Sequence, residues 1–134
     1  MSGKTFKAHG KVTVGKANKS IDLLFECVRR EQDWENKFAE RMNYYKDFYG
    51  NFVPGDSGFM AMPQLILVCE DDKHMVETLR EILSRNLVID KIKLYFTTDL
   101  KQNTTTLDKS LTEFVKDEAT GKFKAINVEF KVLG

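Results

Sequence analysis

The residue with the most chemical potential is Glu26. It lies in Ile21-Asp22-Leu23-Leu24-Phe25-Glu26-Cys27-Val28-Arg29-Arg30, where Ile21, Leu23, Phe25 and Cys27 occupy one side of a period-two pattern and Leu24 and Val28 the other. Glu26 shares the second side, so apolar neighbours flank it in both directions. A carboxylate in such a strand needs a basic partner, a metal or a proton, because taking it bare out of water is expensive. Two readings follow. In the first, Glu26 is structural and pairs with Arg30 on the same strand face, or with a lysine of a neighbouring strand. In the second, it is catalytic and lines a cleft, with Asp22 or Asp72 as a second carboxylate within reach of one cation.

Other residues offer weaker chemistry. Glu70-Asp71-Asp72 stands between an apolar run and a helical one, and His74 follows one turn later. These acids resemble the pocket of a response-regulator receiver domain. However, Asp99 follows Thr97-Thr98 instead of preceding them, and the acidic strand normally opens a receiver, whereas some sixty residues precede it here. They read as helix N-terminal acids favoured by the dipole, and no metal site is assigned. The first third of the chain is locally basic (Lys4, Lys7, Lys11, Lys16, Lys19, Arg29, Arg30), and Lys7, His9 and Lys11 share one face of a predicted strand. Lys7, Lys11, Arg29, Arg30 and Lys37 are therefore candidate phosphate contacts, with Tyr44 as a candidate base-stacking residue. The alternative is a solvated hairpin face.

These residues must be positioned by a small set of elements. The pattern predicts a half-buried strand over Thr5–Val14, a turn over Gly15–Lys19, and a strand over Ile21–Arg30 covered on both faces. Asp33 is a plausible N-cap for a helix in which Trp34, Phe38, Met42, Tyr45 and Tyr49 form one stripe, ending near Gly50. Asn51–Pro63 is irregular, with Gly55, Gly58 and both prolines. Gln64–Cys69 is a continuous apolar strand. It is followed by a helix with Met75, Leu79, Ile82 and Leu83 inward, then a strand around Ile92–Phe96. A short helix carries Leu107, Leu111, Phe114 and Val115, and the last strand runs from Lys124 to Leu133. The predicted order is β-β-α-β-α-β-α-β, an α/β fold with a mixed sheet and helices on both faces.

Composition sets the limits. A chain of 134 residues with 42% hydrophobic and 31% charged residues suits a single α/β domain over 1–134 with its own core. The net charge of +1 advertises neither nucleic acid nor membrane globally, so any basic patch is local. No apolar run reaches the roughly 18–20 residues of a membrane span. Cys27 and Cys69 lack CxxC spacing and read as core thiols, which favours a cytoplasmic protein; a disulfide would require neighbouring strands.

A hairpin, a strand with an embedded Glu, a helix rich in Lys and Tyr and then an apolar strand together resemble the PD-(D/E)xK, restriction-endonuclease-like fold. More narrowly, Phe25-Glu26-Cys27-Val28-Arg29, then Lys37 and Tyr44-Tyr45, then Gln64–Glu70, are similar to the C-terminal part of plasmid replication-relaxation proteins. The resemblance covers about Thr5 to Asp72. It implies a nuclease-like domain associated with DNA, with Mg²⁺ as cofactor only if the motif is active. The chain departs from the motif in two places: Thr5–Val14 has no acid, leaving Asp22 as the nearest, and Val28 stands where a lysine belongs. Metal-assisted phosphodiester cleavage needs at least two oxygen-donor anions and a group to position water. Arg30 would serve as a phosphate clamp, not as a base. The expectation is a catalytically degenerate, non-enzymatic domain of a plasmid or mobile-element protein. A protein–protein or homodimerisation module using the C-terminal edge strand is the alternative.

Overall fold

The structure is a computed structural model and describes residues 10–16, 19–55, 59, 61–104 and 111–128. Among these residues six strands and three helices follow one another as β1 (Gly10–Lys16), β2 (Lys19–Cys27), α1 (Trp34–Gly50), β3 (Gln64–Cys69), α2 (Asp72–Ser84), β4 (Leu94–Thr98), α3 (Asp99–Thr104), β5 (Leu111–Lys116) and β6 (Phe123–Val128). The strands form one mixed sheet in the order β1-β2-β3-β4-β5-β6. β2, β3 and β4 are parallel, while β1, β5 and β6 join antiparallel to their neighbours.

The register places Glu26 opposite Leu67 of β3. The side of β2 that carries Leu24, Glu26 and Val28 continues through Leu65, Leu67 and Cys69 to Phe96. The larger core forms on this side, against Phe38, Met42, Tyr45 and Tyr49 of α1 and Met75 and Ile82 of α2. The opposite side carries a smaller cluster of Leu23, Ile66, Tyr95 and Leu111. Both long helices therefore cover one face, not one on each face as the sequence suggests. The strand order gives the reason. Crossovers from β2 to β3 and from β3 to β4 move in the same direction, and two right-handed crossovers of that kind place their helices on the same side.

Three further expectations are corrected. Leu111, Phe114 and Val115 belong to strand β5, not to a helix; the third helix lies earlier, at Asp99–Thr104, so the order ends β-α-β-β. The spacing of those apolar residues also fits a helix, but β5 pairs with β6 over its full length, from Leu111↔Val128 to Lys116↔Phe123. On α2 the buried positions are His74, Met75, Thr78 and Ile82, while Leu83 is 43% exposed. Asp33 precedes α1 but makes no capping bond; it sits in the left-handed region at φ 63° and accepts a bond from Asn36 Nδ2 at 2.6 Å.

The irregular link after α1 is pinned at several points. Tyr49 donates its hydroxyl to the Pro63 carbonyl at 2.7 Å, the Gly55 amide donates to the Phe59 carbonyl at 2.6 Å, and Phe48 packs edge-on against Tyr49, Phe52 and Phe59. Gly55 adopts φ 97°, a conformation in which a side chain would be strained. Neither Cys27 nor Cys69 is joined in a disulfide; Cys27 is exposed and Cys69 buried. Their strands are neighbours, but Cys27 pairs with Val68, so strand alternation sets the two cysteines on opposite faces of the sheet. Burial pushes the Cys69 thiol up to about 12.

Phe38 is 4% exposed at the centre of the α1 contact. Phe38→Ala should lower unfolding free energy by about 3–5 kcal/mol in urea denaturation. A variant with an unchanged midpoint would show that α1 does not pack through this side.

Candidate functional site

Glu26 is 2% exposed and does not bond to Arg30. Two of its partners come from α1. Arg41 donates from Nε to both carboxylate oxygens at 3.2 Å and from Nη2 to Oε1 at 2.9 Å, and the Tyr45 hydroxyl donates to Oε1 at 2.6 Å. Arg41 and Tyr45 are four residues apart, so one helical turn stacks them over the same strand position. The Arg41 guanidinium also lies 5.5 Å from the centroid of the Tyr45 ring. Bonding to Glu26 raises the Arg41 guanidinium above its ordinary value. Burial, followed by the neighbouring Glu26 charge, raises the Tyr45 hydroxyl, which keeps it a donor.

The carboxylate is thus met by charge-assisted bonds from a cation and a buried phenol. This arrangement does not suit a metal ligand. Asp22 is four residues back on β2, about 13 Å along an extended strand, too far to share a cation with Glu26. Among the described residues, no group of three or more His, Cys, Asp or Glu is placed to hold a metal ion.

Arg41 also borders a cleft of about 230 Å³ between the end of β2 and the first two turns of α1. Trp34 and Phe38 form its apolar wall, Glu26 and Arg41 its inner end, and Arg29, Glu31 and Lys37 its charged rim. Arg29 bonds Asp99 at 2.9 Å and Lys37 meets Glu31 at 3.5 Å, both in exposed pairs. Trp34 is partly exposed. Its ring meets His74 edge-to-face at 4.8 Å and tilts against Phe38 at 6.4 Å.

The charged residues beyond the carboxyl ends of β2, β3 and β4 largely satisfy one another. Arg30 bonds Asp71 through both Nη atoms at 3.0 Å and Glu77 through Nε at 3.0 Å, and its amide donates to Glu70 at 2.6 Å. The Arg30 guanidinium holds the Asp71 carboxyl down at about 2. Lys101 donates to Thr112 Oγ1 at 3.1 Å and lies 3.6 Å from Asp72. Asp71 caps α2 by accepting from the His74 amide at 2.7 Å. His74 is buried and turned inward. Its Nδ1 accepts from the Glu70 amide at 3.1 Å, and its Nε2 has no hydrogen-bond partner among the described residues. Burial, with the Arg30 charge, lowers His74 below its ordinary value. A neutral His74 with its proton on Nε2 fits this environment and does not coordinate a metal with Asp71 or Asp72.

Of the sequence-derived candidates, the structure gathers Glu26, Arg29 and Lys37 around one cleft. Arg30 faces the α2 corner, and Tyr44 is partly exposed and does not line the cleft. Lys11 pairs opposite Leu24 in β1, and Lys7 lies outside the described residues. Sequence reasoning missed Arg41. Its signal is its place beside the α1 core stripe, three residues after Phe38 and four before Tyr45. No helix among the described residues is long and apolar enough to cross a membrane. No family model, curated protein or solved structure matches the chain.

Glu26→Gln would leave Arg41 without its counter-charge. Because Arg41 retains 27% side-chain exposure, solvent softens the loss, which we set at about 2–3 kcal/mol in urea denaturation. Replacing Glu26, Arg41 and Tyr45 together by Leu, Leu and Phe should cost less than Glu26→Gln alone, since the carboxylate and the two donors bonded to it are removed together. A larger loss in the triple variant would contradict the account. His74 supplies a pH prediction. Its folded value lies below its unfolded value of about 6.5, so the unfolded chain binds the proton first. Its stabilising contribution is complete above that value and is lost as pH falls toward the folded one. Equilibrium unfolding across this range should show a decline that is reduced in His74→Asn.

Proposed function

We propose that this chain is a nucleic-acid-associated domain of restriction-endonuclease-like architecture whose catalytic constellation is degenerate, a non-enzymatic part of a plasmid or mobile-element maintenance protein. The observation that carries the non-enzymatic part is the occupation of Glu26 by Arg41 and Tyr45. A carboxylate neutralised in this way is a poor ligand for Mg²⁺, and Asp22 stands too far along the strand to complete a site. The hairpin, the Glu-bearing strand, the helix and the apolar strand follow in the order of the family resemblance. The cations Arg29 and Lys37 border one cleft and offer phosphate contacts, while Arg41 at the same cleft is held by Glu26.

The edge position of β6 favours a second reading, a pairing module. Phe123 and Ile126 are 39% and 38% exposed there, and the outer side of an edge strand can accept another strand.

Two measurements test the first reading. Supercoiled plasmid incubated with the chain and Mg²⁺ or Mn²⁺ should remain intact; a metal-dependent nick that disappears in Glu26→Gln would overturn the degenerate assignment. DNA affinity should fall steeply as salt is raised, because phosphate contacts release counterions. A concentration-dependent dimer with no DNA affinity would favour the pairing module instead.

A further inference from the structure

We propose that the cleft between the end of β2 and the first two turns of α1 takes one unpaired nucleotide of a single-stranded nucleic acid, with its base against Trp34 and its phosphate on Arg29 and Lys37. This rests on the nucleic-acid reading above and narrows it from nucleic acid in general to a single strand.

The dimensions come first. At about 230 Å³ the cleft is smaller than the roughly 300–1,000 Å³ of pockets for drug-sized ligands, and it admits one planar ring. A base within a duplex is stacked on both sides and cannot enter it. The wall is suited to a base. Trp34 and Phe38 are apolar and aromatic, and stacking on such a side chain tolerates any base because every base has a π face. Trp34 is held from behind by the edge contact with His74 and from the side by Phe38, so its ring is oriented before a ligand arrives.

The charges favour a phosphate at the rim. Glu26 would repel an anion if its charge were uncompensated, but Arg41 neutralises it within the protein. Arg29 and Lys37 have side chains 40% and 57% exposed and carry exposed pairs with Asp99 and Glu31. Exposed pairs of this kind contribute little, so a phosphate oxygen can take over both cations with small loss. Glu31 is the carboxylate that such a phosphate must pass, and its pairing with Lys37 at 3.5 Å indicates where the incoming anion would displace it.

Trp34 is the single tryptophan of the chain, which makes the test direct. The full chain would be titrated with an oligothymidine of roughly ten nucleotides, within the range of single-strand sites, and with a duplex of the same length. Tryptophan emission and the anisotropy of a labelled strand would both be followed. The expected result is quenching of Trp34 on binding the single strand, with affinity at least tenfold above that for the duplex. Arg29→Gln combined with Lys37→Gln should flatten the dependence of log affinity on log salt by about 0.7, the share of the one phosphate that these two cations neutralise on a single strand. Trp34→Leu should weaken single-strand binding about tenfold, and Trp34→Phe, which keeps a stacking ring, should restore most of it. Equal affinity for duplex and single strand with unchanged emission would overturn this inference and leave the nucleic-acid reading standing. Binding to neither would overturn both.

Discussion

The contact between Glu26 and Arg41–Tyr45 is the joint on which the described part of the molecule depends. A carboxylate on the helix-covered side of β2 is tolerated only if α1 arrives with its donors at the right height. Arg41 and Tyr45 meet this condition by standing one turn apart. The apolar stripe of Phe38, Met42, Tyr45 and Tyr49 would let α1 slide or rotate on Leu24, Leu65 and Leu67 with modest change in buried area. The polar joint removes that freedom, since any slip would leave a buried charge without its partner. Hydrophobic burial thus supplies most of the adhesion here, and the ion pair selects one alignment.

Topology then decides where a ligand can approach. In open α/β sheets the usual crevice forms where the strand order reverses and successive helices diverge to opposite faces. Here β2, β3 and β4 advance in one direction with α1 and α2 side by side, so no such divergence occurs among them. The charged loops beyond these strands close over the end of the sheet. Arg30 ties β2 to the start of α2, Arg29 reaches Asp99, and Lys101 reaches Asp72. One cleft among the described residues lies to the side, where the chain leaves β2 and turns into α1. Asp33 in the left-handed region forms that turn and sets the direction in which Trp34 enters the helix.

Much of this was legible in the order of residues where a single element carries the information. The two-residue alternation of Leu24, Glu26 and Val28 identifies the covered side of β2, and the stripe from Phe38 to Tyr49 identifies the inner side of α1. What was not legible depends on contacts between elements. Arg30 shares a strand face with Glu26 and was the natural partner by local spacing, whereas Arg41 becomes its neighbour only once α1 folds back. Leu111, Phe114 and Val115 fit a helical spacing as well as a strand, and only pairing with β6 resolves the ambiguity in favour of the strand. On α2, Leu83 has the more apolar side chain, yet His74 and Thr78 occupy buried positions. Both bond within the helix corner, Thr78 to the His74 carbonyl and His74 through Nδ1 to the Glu70 amide, so the Thr78 hydroxyl is satisfied locally and only one nitrogen of His74 is.

The placement of the two cysteines has a consequence for how the purified protein would behave in air. Because alternation directs Cys27 and Cys69 to opposite faces, no internal cross-link can form without moving a strand, and Cys69 is shielded as a thiol far from its reactive form. Oxidants would act on Cys27 alone, joining it to another chain or to a small thiol. A covalent pair seen on a non-reducing gel would therefore record storage chemistry at one exposed sulfur, and would say nothing about association through the sheet edge.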